Sequence, residues 1–298
     1  MTSDTETRRG IVLAGGTGTR LCPMTRAVSK QLLPVYDKPL VYYPLTTLML
    51  AGVRECLIIT TPADTPQFRK LLGDGSAWGL TLAYATQDEP RGIAEALIIA
   101  EPFLDGRPSV LVLGDNLFFG HGLGEVLAAA DRRRHGATIF AYRVSEPGHY
   151  GVVELAADGA ISSLEEKPAR PRSNLAVTGL YYYDGEAPAL ARALRPSARG
   201  ELEVTDLNRA YLARGDLSCE PLGRGFAWLD TGTPEALLEA ATFVHTLQKR
   251  QGLLLASPEE VAFRKGWIDA AALLRLGRAM GGTAYGQVLE ALAREAGA

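Results

Sequence analysis

Glycines and a cation follow the first apolar run of the chain. Residues 10–14 are apolar and rich in β-branched side chains, and Gly15, Gly16 and Gly18 come directly after them. Glycine permits a sharp turn and a close approach, so the amide groups of such a loop can cradle phosphate oxygens. Arg20 stands beside the loop, where a guanidinium would neutralise a bound anion. The loop is neither a Walker A loop, whose lysine is missing, nor a dinucleotide fingerprint, whose third glycine is missing. The alternative is a glycine-rich surface turn with a solvated arginine.

A second cation and two carboxylates extend this pattern. Lys30 lies in an otherwise apolar segment, and it either faces the same phosphates or is an ordinary solvated lysine. Asp115 and Asp230 each end a short apolar run. Parallel sheets bind ligands in the crevice at the carboxyl ends of their strands, and hard oxygen ligands suit Mg²⁺ held together with phosphates. A turn or helix-capping role for either aspartate stays open.

An acid and a lysine end a further run. Glu166 could accept hydrogen bonds from sugar hydroxyls, and Lys167 could pair with a sugar phosphate. The alternative for both is a solvated cluster of charges. No Ser-His-Asp or Cys-His arrangement marks a covalent nucleophile, and Cys22 receives no role.

Alternating strands and helices are predicted to position these residues. The alternation predicts an α/β fold with a Rossmann-like, mostly parallel central sheet flanked by helices. The predicted strands are 10–14, 55–60, 80–85, 109–114 and 137–144, and the predicted helices are 45–51, 65–72, 93–100 and 123–134.

The second half of the chain has a different pattern. Three strands joined by turn residues predict an antiparallel extension, two helices follow it, and a helical C-terminal appendage begins at residue 234. We expect a catalytic core over 1–240 and a C-terminal helical segment over 241–298. The extension consists of strands 151–155, 160–166 and 176–183 and helices 186–194 and 203–214.

Composition and charge exclude several classes of protein. The 298 residues are 47% hydrophobic and 22% charged, as in ordinary globular proteins, and the net charge of −3 provides no global basic field for nucleic acid. The three cysteines form neither a disulfide framework nor a zinc motif. Residues 1–9 lack the apolar core of a signal peptide, and no apolar run reaches the roughly 20 residues of a membrane span. We therefore expect a cytoplasmic protein with no nucleic-acid and no membrane partner.

Taken in order, the motifs resemble those of the sugar-phosphate nucleotidylyltransferases. The resemblance extends from about residue 10 to about residue 287 and is greatest to the glucose-1-phosphate thymidylyltransferase branch, to which 59–66, 71–76, 199–206 and 257–264 look specific. The ordered motifs are Leu-Ala-Gly-Gly-Thr-Gly-Thr-Arg-Leu (13–21), Ser-Lys-Gln-Leu-Leu-Pro-Val-Tyr-Asp-Lys-Pro (29–39), Leu-Gly-Asp-Asn (113–116), Leu-Glu-Glu-Lys-Pro (164–168) and Trp-Leu-Asp-Thr-Gly (228–232).

This resemblance implies an activity and an assembly. The activity is Mg²⁺-dependent transfer of a thymidylyl group from dTTP to glucose 1-phosphate, which gives dTDP-glucose and pyrophosphate and begins the synthesis of dTDP-deoxysugars such as dTDP-rhamnose. The assembly is a homotetramer with a secondary nucleotide-sugar site for inhibition. Candidates for that site are the C-terminal helical segment, residues 119–121 and Arg224.

The resemblance also implies roles for single residues. Arg20 would hold the departing pyrophosphate, Lys30 would neutralise the nucleotide phosphates, and Lys167 would bind the sugar phosphate; with Asp115 and Asp230, the implied Mg²⁺ ligands, they form the catalytic set. Residues 10–150 would bind the nucleotide and 151–232 the sugar. The implied substrate-binding residues are Leu13, Gly15, Gly16, Thr17, Gly18, Thr19, Arg20, Lys30, Gln31, Gln87, Gly92, Asp115, Gly151, Glu166, Lys167 and Val177.

Base recognition is where the sequence departs from the family pattern. Gln87 and Gly92 would read the thymine edge, and Gly151, Glu166 and Val177 would line the glucose pocket. Where the family pattern is Leu-Ala-Gln-Ala, this chain has Ile-Ala-Glu-Ala at 93–96.

Other functions remain open at this point. The same reaction with UTP, CTP or another sugar phosphate is one, and a non-catalytic regulator that binds nucleotide sugars is another. The complete set of candidate charges disfavours the regulator, and the missing third glycine disfavours a dinucleotide-dependent oxidoreductase.

Overall fold

The computed structural model describes residues 7–16 and 18–296 and has a nine-stranded sheet at its centre. The strands are β1 (Arg9–Ala14), β2 (Pro34–Val35), β3 (Lys38–Pro39), β4 (Glu55–Thr60), β5 (Thr81–Thr86), β6 (Ser109–Leu113), β7 (Asn116–Gly120), β8 (Ala137–Arg143), β9 (Gly151–Leu155), β10 (Ile161–Glu166), β11 (Leu175–Tyr183), β12 (Leu217–Leu222) and β13 (Phe226–Asp230). The helices are α1 (Tyr42–Leu50), α2 (Thr65–Leu72), α3 (Glu95–Leu104), α4 (Leu123–Asp131), α5 (Ala187–Ala193), α6 (Val204–Ala213), α7 (Pro234–Gln251), α8 (Pro258–Arg264), α9 (Ala270–Ala279) and α10 (Ala284–Glu295).

The central sheet has a parallel half and an antiparallel half. β6, β1, β4 and β5 are parallel neighbours, and Leu13 of β1 lies between Leu113 and Ile59 in register. On the other side of β6, strand β11 runs antiparallel to β6, β8 and β9, and β9 pairs antiparallel with β10. The predicted α/β fold, with its flanking helices and antiparallel extension, is confirmed.

Helices cover both faces of the sheet because successive side chains of a strand point to opposite faces. Val12 and its neighbours on one face pack against α1, α2, α4 and α8. Ile11, the preceding residue in the chain, packs on the other face against α3, α5 and α6. Both side chains are fully buried, and this explains why the parallel strands are continuous apolar runs.

The C-terminal helices are fastened to the core by a buried carboxylate. Glu259 of α8 is 2% exposed and accepts hydrogen bonds from Trp78 Nε1 (3.1 Å), Ser257 Oγ (2.9 Å) and Tyr285 OH (2.6 Å). These bonds join α8 and α10 to the turn before β5. The predicted helical appendage is present from residue 234. Within the described residues, no helix is both long and apolar enough to span a bilayer.

Candidate active site

The glycine loop, residues 15–19, leaves β1 at the carboxyl end of the parallel strands. Gly18 has a φ of +61°, and a Cβ there would lie 2.8 Å from Thr25 Cγ2, so the position needs glycine on two counts. A Cβ on Gly16 would lie 3.7 Å from Lys30 Cε. Lys30 therefore flanks the loop as predicted, whereas Thr17 lies outside the described residues.

Asp115 is held at the end of β6 by contacts to its backbone and its carboxylate. The Gly114 amide donates to Leu13 O (2.8 Å), which places the turn against the start of the glycine loop. Lys30 Nζ pairs with one oxygen of Asp115, and Asn116 Nδ2 donates to the other (3.0 Å). Burial alone would raise the pKa of Asp115, but the Lys30 ammonium and these hydrogen bonds bring the pKa below its usual value.

The pairing of β13 with β7 brings the second aspartate to the first. Asp230 is the register partner of Asn116, and Thr231 donates to Asp115 O through its amide (3.1 Å) and its hydroxyl (2.9 Å). Burial and the neighbouring Asp115 carboxylate raise the pKa of Asp230 to about 6, against the attraction of Lys30 and Arg20. The two acids therefore form one electrostatic unit.

Arg20 lies beside Asp230 because Gly232 leaves space for it. A Cβ on Gly232 would come within 2.8 Å of Arg20 Nη2 and 3.2 Å of Asp230 Oδ1. Any larger residue at position 232 would displace the guanidinium or the carboxylate. Gly232, the last residue of the Trp-Leu-Asp-Thr-Gly motif, thus leaves the space that the Arg20 guanidinium occupies.

The antiparallel half of the sheet contributes a second group of polar residues. Glu166, at the end of β10, accepts a hydrogen bond from Thr205 Oγ1 (2.6 Å) and forms an ion pair with Arg199 (3.4 Å). A Cβ on Gly151 would lie 3.6 Å from Glu166 Oε2 and 3.7 Å from Val177 Cβ. Gly151, Glu166 and Val177, which were predicted to share a pocket, therefore lie together.

Lys167 occupies an unusual backbone conformation next to Glu166. Its φ is +42°, its amide donates to Tyr150 O (3.0 Å), and its Nζ lies 3.5 Å from Glu166 Oε1. The side chain is about half exposed. An ammonium in this position is free to meet an incoming anion.

One cavity of about 600 Å³ joins the two groups. Its lining includes the two aspartates and Arg20 together with Glu166 and Lys167. Its lining also includes Tyr150, Gly151, Val177, Gly179, Arg199, Glu203, Thr205, Trp228 and Gly232.

Two predicted substrate-binding residues are buried beside the glycine loop rather than in this cavity. Gln31 is 2% exposed, and its Oε1 accepts a hydrogen bond from Ser29 Oγ (2.6 Å). Gln87 is 5% exposed, and its side chain donates to Gly92 O (3.1 Å), so the predicted base-reading pair is in contact. Thr19 is exposed at the first turn after the loop.

Sequence reasoning assigned no role to several residues that shape the site. Asn116 is 2% exposed, and its Oδ1 accepts from Gly179 N (3.0 Å) and from Trp228 Nε1 (2.6 Å) while its Nδ2 binds Asp115. The signal was a polar residue next to Asp115 in an apolar run. Arg199 and Thr205 reach Glu166 only through tertiary packing, and the sequence gives no local sign of it.

A comparison with protein families matches this arrangement to one of them. The sequence profile of the family described as "Nucleotidyl transferase" matches residues 9–246. The chain belongs to the nucleotidyl transferase family.

Similar proteins place this nucleotidyltransferase more narrowly. It is 58% identical to a glucose-1-phosphate thymidylyltransferase of Xanthomonas campestris pv. campestris, over 96% of this chain and 97% of that protein. Proteins of the same name from Neisseria meningitidis and Mycobacterium tuberculosis are 56% and 55% identical, over 94% of this chain and 98% and 97% of theirs. The predicted resemblance to this branch is confirmed.

Solved structures agree on the fold of the nucleotidyltransferase. A candidate glucose-1-phosphate thymidylyltransferase of Bacillus anthracis, crystallised with sucrose, has a TM-score of 0.74 at 37% identity, over 80% of this chain and 95% of that one. A UDP-glucose pyrophosphorylase in complex with UDP-glucose has a TM-score of 0.71 over 80% of this chain and 99% of that one, and its 24% identity speaks for the fold alone.

The aspartate pair fits a divalent cation as a partial set of ligands. Within the described part of the chain, no cluster of three or more histidine, cysteine, aspartate or glutamate side chains could hold a metal. Mg²⁺ binds proteins through one or two carboxylates and takes its other ligands from water and substrate phosphates. Burial, and then the neighbouring Asp115 carboxylate, raise the pKa of Asp230, and a bound cation would oppose both effects. The donor set therefore suits a metal that arrives with its substrate.

The raised pKa of Asp230 predicts that this side chain destabilises the ligand-free enzyme. The native state binds the proton more tightly than the unfolded state, so wild-type stability falls as pH rises from 3.8 to about 6. We expect Asp230→Asn to raise the free energy of unfolding by about 2 kcal/mol at pH 8, and by less than half of that near pH 4.5. Urea unfolding at both pH values checks this, with Asp206→Asn, at a partly exposed carboxylate, as control. Equal stability of Asp230→Asn and wild type at pH 8 would contradict it.

Proposed function

We propose that this protein transfers a thymidylyl group from dTTP to glucose 1-phosphate and releases pyrophosphate, with Mg²⁺ as cofactor. The observation that carries the proposal is the single cavity joining a pair of metal-type carboxylates and Arg20 to Glu166 and Lys167. A nucleotide phosphate and a sugar phosphate are the reactants that such a cavity suits. The names of the relatives, all glucose-1-phosphate thymidylyltransferases at 55–58% identity, support the choice of both substrates.

The reaction we infer is a direct displacement at phosphorus. A phosphate oxygen of glucose 1-phosphate attacks the α-phosphorus of dTTP, a new P–O bond forms, and the bond to the β-phosphate oxygen breaks with its electron pair on pyrophosphate. The attacking group is already an anion, so no protein nucleophile or general base is required. The obstacle is repulsion between two polyanions, and fixed cations that meet the developing charge lower the barrier most.

The cations of this chain divide between the two reactants. Arg20, at the glycine loop, would bind the departing pyrophosphate. Lys30, beside Gly16, would bind the phosphates of the nucleotide. Lys167, which lines the same cavity beside Glu166, would bind the sugar phosphate. Asp115 and Asp230 would hold Mg²⁺, which supplies charge neutralisation at phosphate oxygens when bound.

The hydrogen bonds that Glu166 already accepts within the protein suit its carboxylate to bind the sugar. Its carboxylate accepts hydrogen bonds from Thr205 Oγ1 and Arg199 Nη2. These bonds fix the direction of the carboxylate and leave acceptor capacity for sugar hydroxyls. Gly151 leaves open the space in front of this carboxylate that a side chain would fill. Fixed acceptors of this kind hold the sugar in register for attack, and such positioning is worth roughly 7–11 kcal/mol in well-oriented reactions.

A pyrophosphate-release assay with dTTP, UTP, CTP and ATP against glucose 1-phosphate tests the proposal. We expect rapid release with dTTP only when Mg²⁺ is present, and EDTA should abolish it. A higher kcat/KM with UTP or CTP than with dTTP would show that the proposed nucleotide is wrong. If glucose 1-phosphate does not react while another sugar phosphate does, the proposed sugar is wrong. No release with any pair would support the non-catalytic regulator instead.

Assembly, regulation and location extend the proposal. We propose a cytoplasmic homotetramer in which residues 10–150 bind the nucleotide and residues 151–232 bind the sugar. A second cavity of about 280 Å³, lined by Phe119 and residues 253–257, supports a secondary nucleotide-sugar site at the C-terminal segment. The proposed boundary at residue 240 falls inside α7. Size-exclusion chromatography with light scattering checks the tetramer.

A further inference from the structure

Glu95 contacts the side-chain amide of Gln87, which lies beside Gly15 of the glycine loop. Gln87 directly follows β5, and its backbone amide donates to Thr60 O (2.8 Å) at the end of β4. Its side-chain Nε2 donates to Glu95 Oε2 (2.7 Å) and to Gly92 O (3.1 Å). Glu95 opens α3, so the contact is anchored on a regular element.

These two partners fix the orientation of the Gln87 amide. A carboxylate and a backbone carbonyl are acceptors without a hydrogen to donate, so both require the NH₂ end of the amide. Gln87 Oε1 therefore points the other way, and it lies 2.9 Å from where a Cβ of Gly15 would be. Among the described residues, no donor reaches this oxygen. The acceptor oxygen of Gln87 is thus fixed against the Gly15 end of the glycine loop.

We propose that Glu95 is a positioning residue for base selection, because it holds Gln87 with its acceptor towards the nucleotide. This inference rests on the proposed function. Thymine and uracil carry an N–H at ring position 3 that can donate to Gln87 Oε1. Cytosine has a bare nitrogen there, so it would place one acceptor against another. A site built for a hydrogen bond rejects the analogue that lacks it, since the buried group is left unpaired.

The same contact has a purely structural interpretation that must be separated from this one. A carboxylate in the first turn of a helix is stabilised by the helix dipole, so losing Glu95 could weaken α3 without any effect on the base. Weakening of the helix would lower stability and all activities together. A positioning role instead changes KM and the ratio between nucleotides and leaves kcat for dTTP alone, because Glu95 touches no reacting atom.

The test compares Glu95→Ala and Glu95→Gln with Glu101→Gln, a matched control. Glu101 lies on the same helix and pairs with Arg192 outside the cavity. For each protein, kcat and KM are measured with dTTP, UTP and CTP, and dissociation constants for dTTP and CTP are measured by calorimetry without the sugar. Urea unfolding reports on the helix.

We expect Glu95→Ala to raise KM for dTTP about tenfold, with kcat within about twofold of wild type. Its preference for dTTP over CTP, in both binding and kcat/KM, should fall about tenfold. UTP should follow dTTP, because both bases have the N–H. Glu95→Gln keeps an acceptor oxygen and should be intermediate, and Glu101→Gln should match wild type.

Binding and turnover separate this inference from the proposed function. Wild-type preference for dTTP over CTP that survives in Glu95→Ala, in both binding and kcat/KM, overturns the inference and leaves the proposed function standing. Equal wild-type binding of dTTP and CTP also overturns it. If wild type binds dTTP selectively, Glu95→Ala loses that selectivity, and no pyrophosphate is released, the inference holds and the proposed function fails.

Discussion

Asp115→Asn is expected to lower kcat by about a thousandfold, the scale seen when one preorganised charge contact to a transition state is removed. Asp115 is the carboxylate that contacts Lys30, Asn116 and, through its carbonyl, Thr231. The variant keeps the side-chain shape and one acceptor oxygen but loses the negative charge that would hold a cation. Steady-state pyrophosphate release at saturating substrates measures the effect.

The control for this prediction is stability. Lys30 loses its ionic partner in a poorly exposed position, so Asp115→Asn is expected to lose up to about 3 kcal/mol of stability while circular dichroism stays that of wild type. Asp206→Asn, which removes a partly exposed carboxylate paired with Arg209, should retain wild-type kcat. A folded Asp115→Asn protein with a near-normal rate would remove Asp115 from the mechanism.

Lys167→Ala is the second large effect, and we expect kcat/KM for glucose 1-phosphate to fall about a hundredfold. Lys167 lines the cavity beside Glu166 and is the cation proposed to bind the sugar phosphate. A charge-assisted bond to phosphate is about twice as strong as a neutral one. Both lysine and alanine carry a Cβ, so the substitution adds no strain at the φ of +42°.

Two comparisons decide how the Lys167 result is read. KM for dTTP should change much less than KM for glucose 1-phosphate, because Lys30 and Arg20 would bind the nucleotide. Lys167→Arg keeps the charge and should recover part of the rate, and Lys70→Ala, on the exposed side of α2, should equal wild type. Unchanged kinetics of Lys167→Ala for glucose 1-phosphate would contradict its assignment.

Local patterns were sufficient to predict the strands and helices that carry the site. The predicted strand 55–60 and helix 65–72 have the bounds of β4 and α2, because short apolar runs between turn residues leave few alternatives. Placement of Asp115 at the sheet edge followed from the common direction of parallel strands.

Those local patterns do not predict the pairing of strands that are far apart in the chain. β7 was not predicted as a strand, and its pairing with β13 joins residues more than a hundred positions apart. That pairing sets Asp230 beside Asp115, and it creates the raised pKa of Asp230. The Glu95–Gln87 contact was likewise invisible, since sequence showed a departure from the family pattern but not what the carboxylate touches.

Two polyanions can meet in this site if one metal cation is held by two acids and if separate protein cations bind the two reactants. Anomalous diffraction from crystals grown with Mn²⁺, glucose 1-phosphate and a dTTP analogue with an uncleavable α,β bridge tests it most directly. The account predicts one strong peak within about 2.2 Å of carboxylate oxygens of both Asp115 and Asp230, with Arg20 on the terminal phosphates and Lys167 on the sugar phosphate. A peak elsewhere, or Arg20 and Lys167 facing solvent in that complex, would contradict it.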